Sequence, residues 1–199
     1  MSIVKSFRPS ALVLAATFFA VAASAQTTTW KMDPVHSSIE FKVRHLGVSY
    51  VHGTFTHPSG TVQMNEKDMT KSSVEATIDT TTVTTNETQR DNHLKSDAFF
   101  GVAKNPTMTF KSTSIYKEGG KLMMKGDLTL VGVTKPVTLT LDGPTPAQTD
   151  AKGMTRSGFS ATGTLSRKDF GFGANAGPVN AAIGDEVIFT IDIEMDKQP

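Results

Sequence analysis

Val35-His36-Ser37-Ser38-Ile39-Glu40-Phe41-Lys42-Val43-Arg44 alternates between two kinds of side chain. Val35, Ser37, Ile39, Phe41 and Val43 form one set; His36, Ser38, Glu40, Lys42 and Arg44 form the other. A period of two is that of a β-strand, whose successive side chains point to opposite faces. The first set faces a core and the second faces water. Working outward, the pattern recurs. Val187, Phe189, Ile191, Ile193 and Met195 alternate with Ile188, Thr190, Asp192 and Glu194. Between these ends lie Val74-Ala76-Ile78, Leu122-Met124 with Leu128-Leu130, Val137-Leu139-Leu141 and Phe159-Ala161 with Leu165, each interleaved with polar residues. Thr28 to Met32 is a further short run, and Tyr50 to Met64 and Thr107 to Tyr116 follow the alternation less cleanly. The count is eight or nine strands. One apolar and one polar face per strand is the mark of antiparallel sheets buried on one side. Gly119-Gly120, Asp142-Gly143-Pro144 and Lys152-Gly153 supply turns between runs, which points to an all-β sandwich or barrel.

One segment leaves this pattern. Thr84-Thr85-Asn86-Glu87 has the spacing of a capping box, predicting a short helix over 88–95, with Ser96 or Asp97 capping a further turn through Phe100. A helix between middle strands can close one end of a barrel. The stretch from Asp142 to Gly153 reads as a hairpin loop, and the chain shows neither a domain boundary nor an internal repeat.

Composition narrows the function. The 199 residues carry 20 Lys+Arg and 19 Asp+Glu, which leaves no basic footprint for nucleic acid. Without cysteine there are no disulfides, thiol nucleophiles, iron–sulfur clusters or Cys-ligated zinc. The start reads as an address: Lys5 and Arg8, an apolar run from Ala11 to Ala23, then Ala23-Ser24-Ala25. This is the pattern of a secretory signal peptide cut after Ala25, with an apolar core well short of the roughly 20 residues a bilayer span needs. Residues 26–199 are then a single exported domain.

Candidate chemistry is sparse. His36, His45, His52 and His57 fall close together in sequence but differ in strand parity, so no metal site is expected. No Gly-x-Ser-x-Gly elbow is present, and Phe170-Gly171-Phe172-Gly173-Ala174 matches no phosphate loop. That run reads as a loop whose phenylalanines either line a pocket or pack. On the short helix, Arg90, His93 and Leu94 share a face. A cation, an imidazole and an apolar group together suit a polar ligand head at a pocket mouth; the same residues also suit an ordinary solvated helix.

Several motifs in order then resemble a known family. Trp30-Lys31-Met32-Asp33-Pro34-Val35-His36-Ser37-Ser38-Ile39-Glu40-Phe41 resembles the opening signature of the YceI-like family, and Val43-Arg44-His45-Leu46-Gly47 and Val51-His52-Gly53-Thr54-Phe55 continue it. The run from Arg90 to Phe100 is similar to the family's most distinctive stretch. Asn105 to Phe110, Gly126 to Val137 and Arg167 to Gly171 follow. Val131-Gly132 stands where the family often has His-Gly.

The resemblance implies a lipocalin-like antiparallel eight-stranded barrel, exported to the periplasm, that binds a polyisoprenoid, a quinone or another long-chain amphiphile, and that commonly dimerises. It implies no enzymatic activity and no cofactor. On this chain it assigns the ligand tail to Phe41, Val43, Phe55, Ala76 and Phe99 in the first half. In the second half the tail-binding residues are Met108, Phe110, Met124, Leu128, Phe159 and Phe170. The head group falls to His45, Arg90 and His93. The small or adaptable inward residues Ser37, Ala76, Met108, Met124, Ala161 and Gly163 agree with an interior left partly open. Two rival readings make different demands. A stress-responsive interaction protein needs a filled interior, and an enzyme with His45 or His93 as base needs a carboxylate within hydrogen-bond reach of it.

Overall fold

The computed structural model describes residues 27–199; the signal-peptide reading lies outside the described residues. Eleven strand segments build one antiparallel sheet: β1 Thr27–Met32, β2 Ser38–His45, β3 Ser49–Phe55, β4 Ser59–Asn65, β5 Ser73–Asp79, β6 Thr107–Glu118, β7 Lys121–Leu130, β8 Val133–Asp142, β9 Gln148–Thr149, β10 Thr155–Ser166 and β11 Ile183–Lys197. Two helices accompany them, α1 Thr88–Lys95 and α2 Pro178–Ala182.

Eleven segments make eight staves. β1 and β2 lie in line along β11, Trp30 opposite Lys197 and His45 opposite Ile183. β4 pairs β1 and β3 pairs β2, so β3 and β4 also share one stave. Each break has a local cause. Asp33-Pro34 interrupts the first stave, because proline cannot donate to the ladder. His57-Pro58 interrupts the second, with His57 at φ 55°. The break explains why the run from Tyr50 to Met64 departs from alternation. It also places Val35 outside a strand, 73% exposed, contrary to its reading as a core residue. The remaining staves follow chain order as a meander, β5-β6-β7-β8-β10, and β10 pairs β11 along eleven residues from Arg156 to Ser166 to close the barrel. β9 is a two-residue addition to β10 within the loop after β8.

The alternation sorts as read. Inward positions are apolar, while Glu40, Glu75, Thr77, Asp79, Lys125, Asp127, Thr138 and Thr162 are exposed on the outside. A barrel with a polar exterior and an apolar interior inverts the pattern of a membrane-spanning barrel. Among the described residues no helix is long and apolar enough to cross a membrane.

The core divides along the barrel axis. Trp30, Val62, Met64 and Met195 pack into a closed floor at one end. The Trp30 indole N–H donates to Thr28 Oγ1 at 2.8 Å, so a fully buried ring keeps its polar atom satisfied. The larger cluster, with Phe55, Ile78, Phe100, Met108, Phe110, Met124 and Leu139, lines the rest.

Helix α1 has the bounds the sequence predicts but not the cap. Glu87, not Thr84, caps it: its carboxylate accepts from the N–H groups of Gln89 and Arg90 at 3.2 and 2.6 Å. Thr84 is engaged elsewhere, exchanging backbone hydrogen bonds with Thr54 of β3, and its hydroxyl donates to Asp91. Ser96 terminates α1, its hydroxyl donating to the His93 carbonyl at 2.7 Å, and the residues to Phe100 form turns rather than a second helix.

Candidate functional site

The barrel encloses a cavity of about 400 Å³, within the range of small-molecule sites. Its wall is almost wholly carbon, with Met32, Val62 and Ile193 toward the floor and Arg44, His45, Arg90, His93, Val179 and Ile183 at the opposite end. Inward side chains such as Ile39, Phe41, Leu128, Phe189 and Ile191 are only half-buried although they point to the barrel axis. Their remaining exposed area is cavity surface.

Glycine creates part of this space. A Cβ at Gly53 would lie 2.3 Å from Phe41 Cζ; at Gly163, 2.6 Å from Phe189 Cζ; at Gly126, 2.3 Å from Phe110 Cζ. Each ring therefore lies against bare backbone of the adjacent strand, where any larger residue would push it toward the axis. Phe41 stands directly opposite Gly53, and Phe189 opposite Gly163. Glycine inside a strand marks such close approach. Gly163 thus contributes volume through Phe189 and does not itself line the cavity.

Of the residues assigned to the tail, Phe41, Val43, Phe55, Ala76, Phe99, Met108, Phe110, Met124, Leu128 and Phe159 all line the cavity. Phe170 does not: it is buried to 3% exposure within the core beside the cavity, at the end of a 3-10 turn. Phe172, two residues on, takes the wall position. The reason lies at Arg167, whose guanidinium holds the Phe172 carbonyl at 2.9 Å and orients the loop. Ser37, read as an inward small residue, is buried but occupied, exchanging hydrogen bonds with the backbone of Glu194.

An aromatic series runs from the interior to the open end. Phe41 meets Phe55 at 5.6 Å between centroids, Phe55 meets Phe100 edge-on at 5.6 Å, and Phe100 meets Phe172 at 4.6 Å. Phe172 meets Phe99 at 5.4 Å, and Phe99 meets His93 edge-on at 4.9 Å. The series ties β2, β3, the segment after α1 and the loop before α2 into one wall.

The three head-group candidates all lie at the open end and all line the cavity. Arg90 is anchored by its own neighbourhood: Nε donates to Thr85 Oγ1 at 2.8 Å and Nη2 to the Thr85 carbonyl at 3.1 Å. Thr85 in turn donates its N–H and hydroxyl to Asp91. Desolvation opposes ionisation of Asp91, but these donors and the Thr84 hydroxyl outweigh it and hold the carboxyl below its ordinary value. Asp91 is thus committed to the Thr84–Thr85 segment, not to His93. Neither His93 nor His45 has a hydrogen-bonded carboxylate among the described residues.

Two features escaped sequence reasoning. Arg167 is 2% exposed and donates to four backbone carbonyls, of Phe172, Asn180, Ile183 and Gly184, at 2.8–3.0 Å. It pins the loop from Gly171 to Ala182 over the end of the barrel. Burial pulls the pKa of this guanidinium down and nearby Asp185 opposes that. The second feature gathers Asp33, His36 and Glu194 on the outer surface at the other end. His36 Nδ1 lies 2.8 Å from Asp33 and 3.9 Å from Glu194. Asp33 also accepts from the N–H groups of Val35 and His36, so it shapes the break between β1 and β2. Arg156 Nε, 3.3 Å from Glu194, supplies the positive charge of that group. The Asp-x-x-His spacing was visible; Glu194, more than 150 residues away, was not.

Fold and site together define a class: a closed, meandering antiparallel barrel with an apolar, single-ended interior. The YceI-like domain model matches residues 30–195, and the chain belongs to that family. It is 42% identical over 180 residues to Protein YceI of Escherichia coli O6:H1, covering 89% of this chain and 91% of that protein. The crystal structure of the Campylobacter jejuni YCEI protein superposes with a TM-score of 0.66 at 26% identity, covering 94% of this chain and all of that one. A polyisoprenoid binding domain from Saccharophagus degradans, implicated in plant cell wall breakdown, shares the fold with a TM-score of 0.63 at 14% identity, over 86% of this chain and 99% of that one.

Proposed function

We propose that this protein binds a long-chain amphiphile, a polyisoprenoid or isoprenoid quinone, with the tail in the barrel and the polar head at the rim formed by His45, Arg90 and His93. The observation that carries the reading is the cavity itself: about 400 Å³, almost wholly carbon-walled, closed at one end above the Trp30 cluster, with its cationic and imidazole lining residues Arg44, His45, Arg90, His93 and Arg167 gathered at the other. Each buried CH₂ contributes about 0.8 kcal/mol. A prenyl chain therefore binds tightly with little discrimination between head groups, since only a few rim groups are polar. The description of the Saccharophagus domain as polyisoprenoid binding supports the same class of ligand. The amino-terminal pattern supports a periplasmic carrier or store. The reading of an interaction protein with a filled interior fits a cavity of this size less well.

Native mass spectrometry of protein purified from an exporting host, with organic extraction of what co-purifies, tests the proposal. A stoichiometric added mass matching a prenyl lipid is the expected result. A bare polypeptide mass, unchanged after incubation with prenylquinone, overturns it.

A further inference from the structure

The hairpin between β2 and β3 presents an apolar side chain where its turn does not call for one. Val48 N–H donates to the His45 carbonyl at 3.0 Å, and the two central residues, Leu46 and Gly47, both have positive φ, 52° and 72°. Turns of this kind select Asn-Gly or Gly-Gly, because a side chain such as leucine is strained there. Leu46 is nonetheless 65% exposed and Val48 is 80% exposed, so neither is held by packing within the barrel. The Leu46 N–H donates to the Ala182 carbonyl at 2.7 Å, which ties the hairpin to α2. On α2, Val179 is 42% exposed and also lines the cavity. Three of the five large exposed apolar side chains among the described residues thus cluster where the cavity opens.

Cations border them. Arg44 sits 3.9 Å above the Tyr50 ring and Lys42 5.1 Å from it; with Arg90 across the opening, none of the three pairs with a carboxylate among the described residues. The acids of α1 are occupied, Glu87 as its cap and Asp91 by Thr84 and Thr85. Two acids are also exposed at this end: Asp169, after β10, and Glu186 on β11, which precedes Val187 opposite Val43 and so borders the β2 cations from one side. Apolar tips, a tyrosine and unpaired cations around an opening match the layers of an anionic bilayer surface. A second copy fits poorly: three side chains fall short of the roughly 800 Å² per partner that a stable interface buries. Twofold pairing would also set like charges against each other.

We propose that the open end of the barrel docks on an anionic lipid bilayer through Leu46, Val48 and Val179, flanked by Lys42, Arg44 and Arg90, so that the ligand passes between bilayer and cavity without crossing water. The ligand part of this statement rests on the function proposed above.

The test uses Leu46→Asn with Val48→Thr, which remove the apolar tips while Asn suits the turn better than Leu, so folding is preserved. Flotation is measured with vesicles of phosphatidylcholine containing phosphatidylglycerol and with pure phosphatidylcholine. Extraction of a prenylquinone from the anionic vesicles is followed beside its uptake from detergent micelles. Wild type is expected to float with anionic vesicles, less at high salt. The variant is expected to lose about tenfold or more in both flotation and extraction, the scale of one apolar side chain's transfer from water, with micelle uptake unchanged. Wild type that fails to float, or a variant that floats equally well, overturns docking. A wild-type dimer that the variant disperses also overturns it, assigning the face to a second copy. Failure of micelle uptake by wild type overturns the ligand reading instead, and flotation then reports on docking alone.

Discussion

Gly53 shows how a single residue governs the interior. Because its missing Cβ is the space in which the Phe41 ring rests, Gly53→Ala drives that ring toward the axis. The expected destabilisation is about 1–3 kcal/mol, typical of overpacking, with a smaller cavity and weaker prenyl-lipid uptake. Denaturant melts and lipid titration of the variant check both. Gly119, at a hairpin tip with nothing within 4 Å of an added Cβ, is the control for lipid uptake: Gly119→Ala should cost some stability through its positive φ of 57° but leave uptake unchanged. His36 carries a different residue-scale prediction. The hydrogen bond that its ring N–H donates to Asp33, then the charges of Asp33 and Glu194, raise its pKa above the ordinary histidine value. A raised pKa in the folded state means its stabilisation is full below about pH 6.5 and is lost as pH rises through the folded value. His36→Asn should therefore lower the melting temperature more at about pH 5.5 than at about pH 8.5, and the effect should be small because the ring is mostly exposed. Equal losses at both values would remove the charge interaction from the account.

At the scale of elements, the loop from Gly171 to Ala182 depends on one side chain. Arg167→Met roughly keeps volume but removes the Arg167 donor from four carbonyls, of which that of Asn180 still accepts from the Ile183 N–H, and each acceptor left unmet and buried costs about 1–3 kcal/mol before relaxation or water entry. The loop is expected to lose amide-exchange protection ahead of the barrel staves, and bound lipid to leave faster. Uniform loss of protection across the barrel would mean that Arg167 supports the whole fold rather than the loop. Helix α1 is tied through Arg90, Thr85 and Asp91, so Arg90→Ala perturbs both anchoring and rim. Arg90→Lys retains a cation without the two-pronged bond to Thr85. Slower lipid release in Lys than in Ala, at equal thermal stability, would assign the rim role to charge.

For the whole molecule, an apolar cavity lined by half-buried side chains couples ligand to stability. Lipid at about 100 times its dissociation constant should stabilise the fold by about 2.7 kcal/mol, read as a rise in melting temperature. A lipid that leaves the melting temperature unchanged at saturation does not occupy the cavity.

Alternation along β2, β5, β7, β8, β10 and β11 determined the all-β class and the inner face of each strand. Period two is local, and every inward apolar residue must find a common interior. The same pattern, with the motifs of the family, led to ten of the eleven proposed tail residues that line the cavity. Other features depended on contacts between residues far apart in the chain. Folding Tyr50 to Met64 into one broken stave required β11 as a shared partner for β1 and β2. The exchange of Phe172 for Phe170 at the wall was decided by Arg167, whose four carbonyl partners lie on segments no local period connects. Cavity volume was decided by which ring faces which glycine across a strand pair, a matter of register. Sequence sets parity along each strand, but only closure of the barrel sets the register between strands, and with it the depth, floor and opening of the interior.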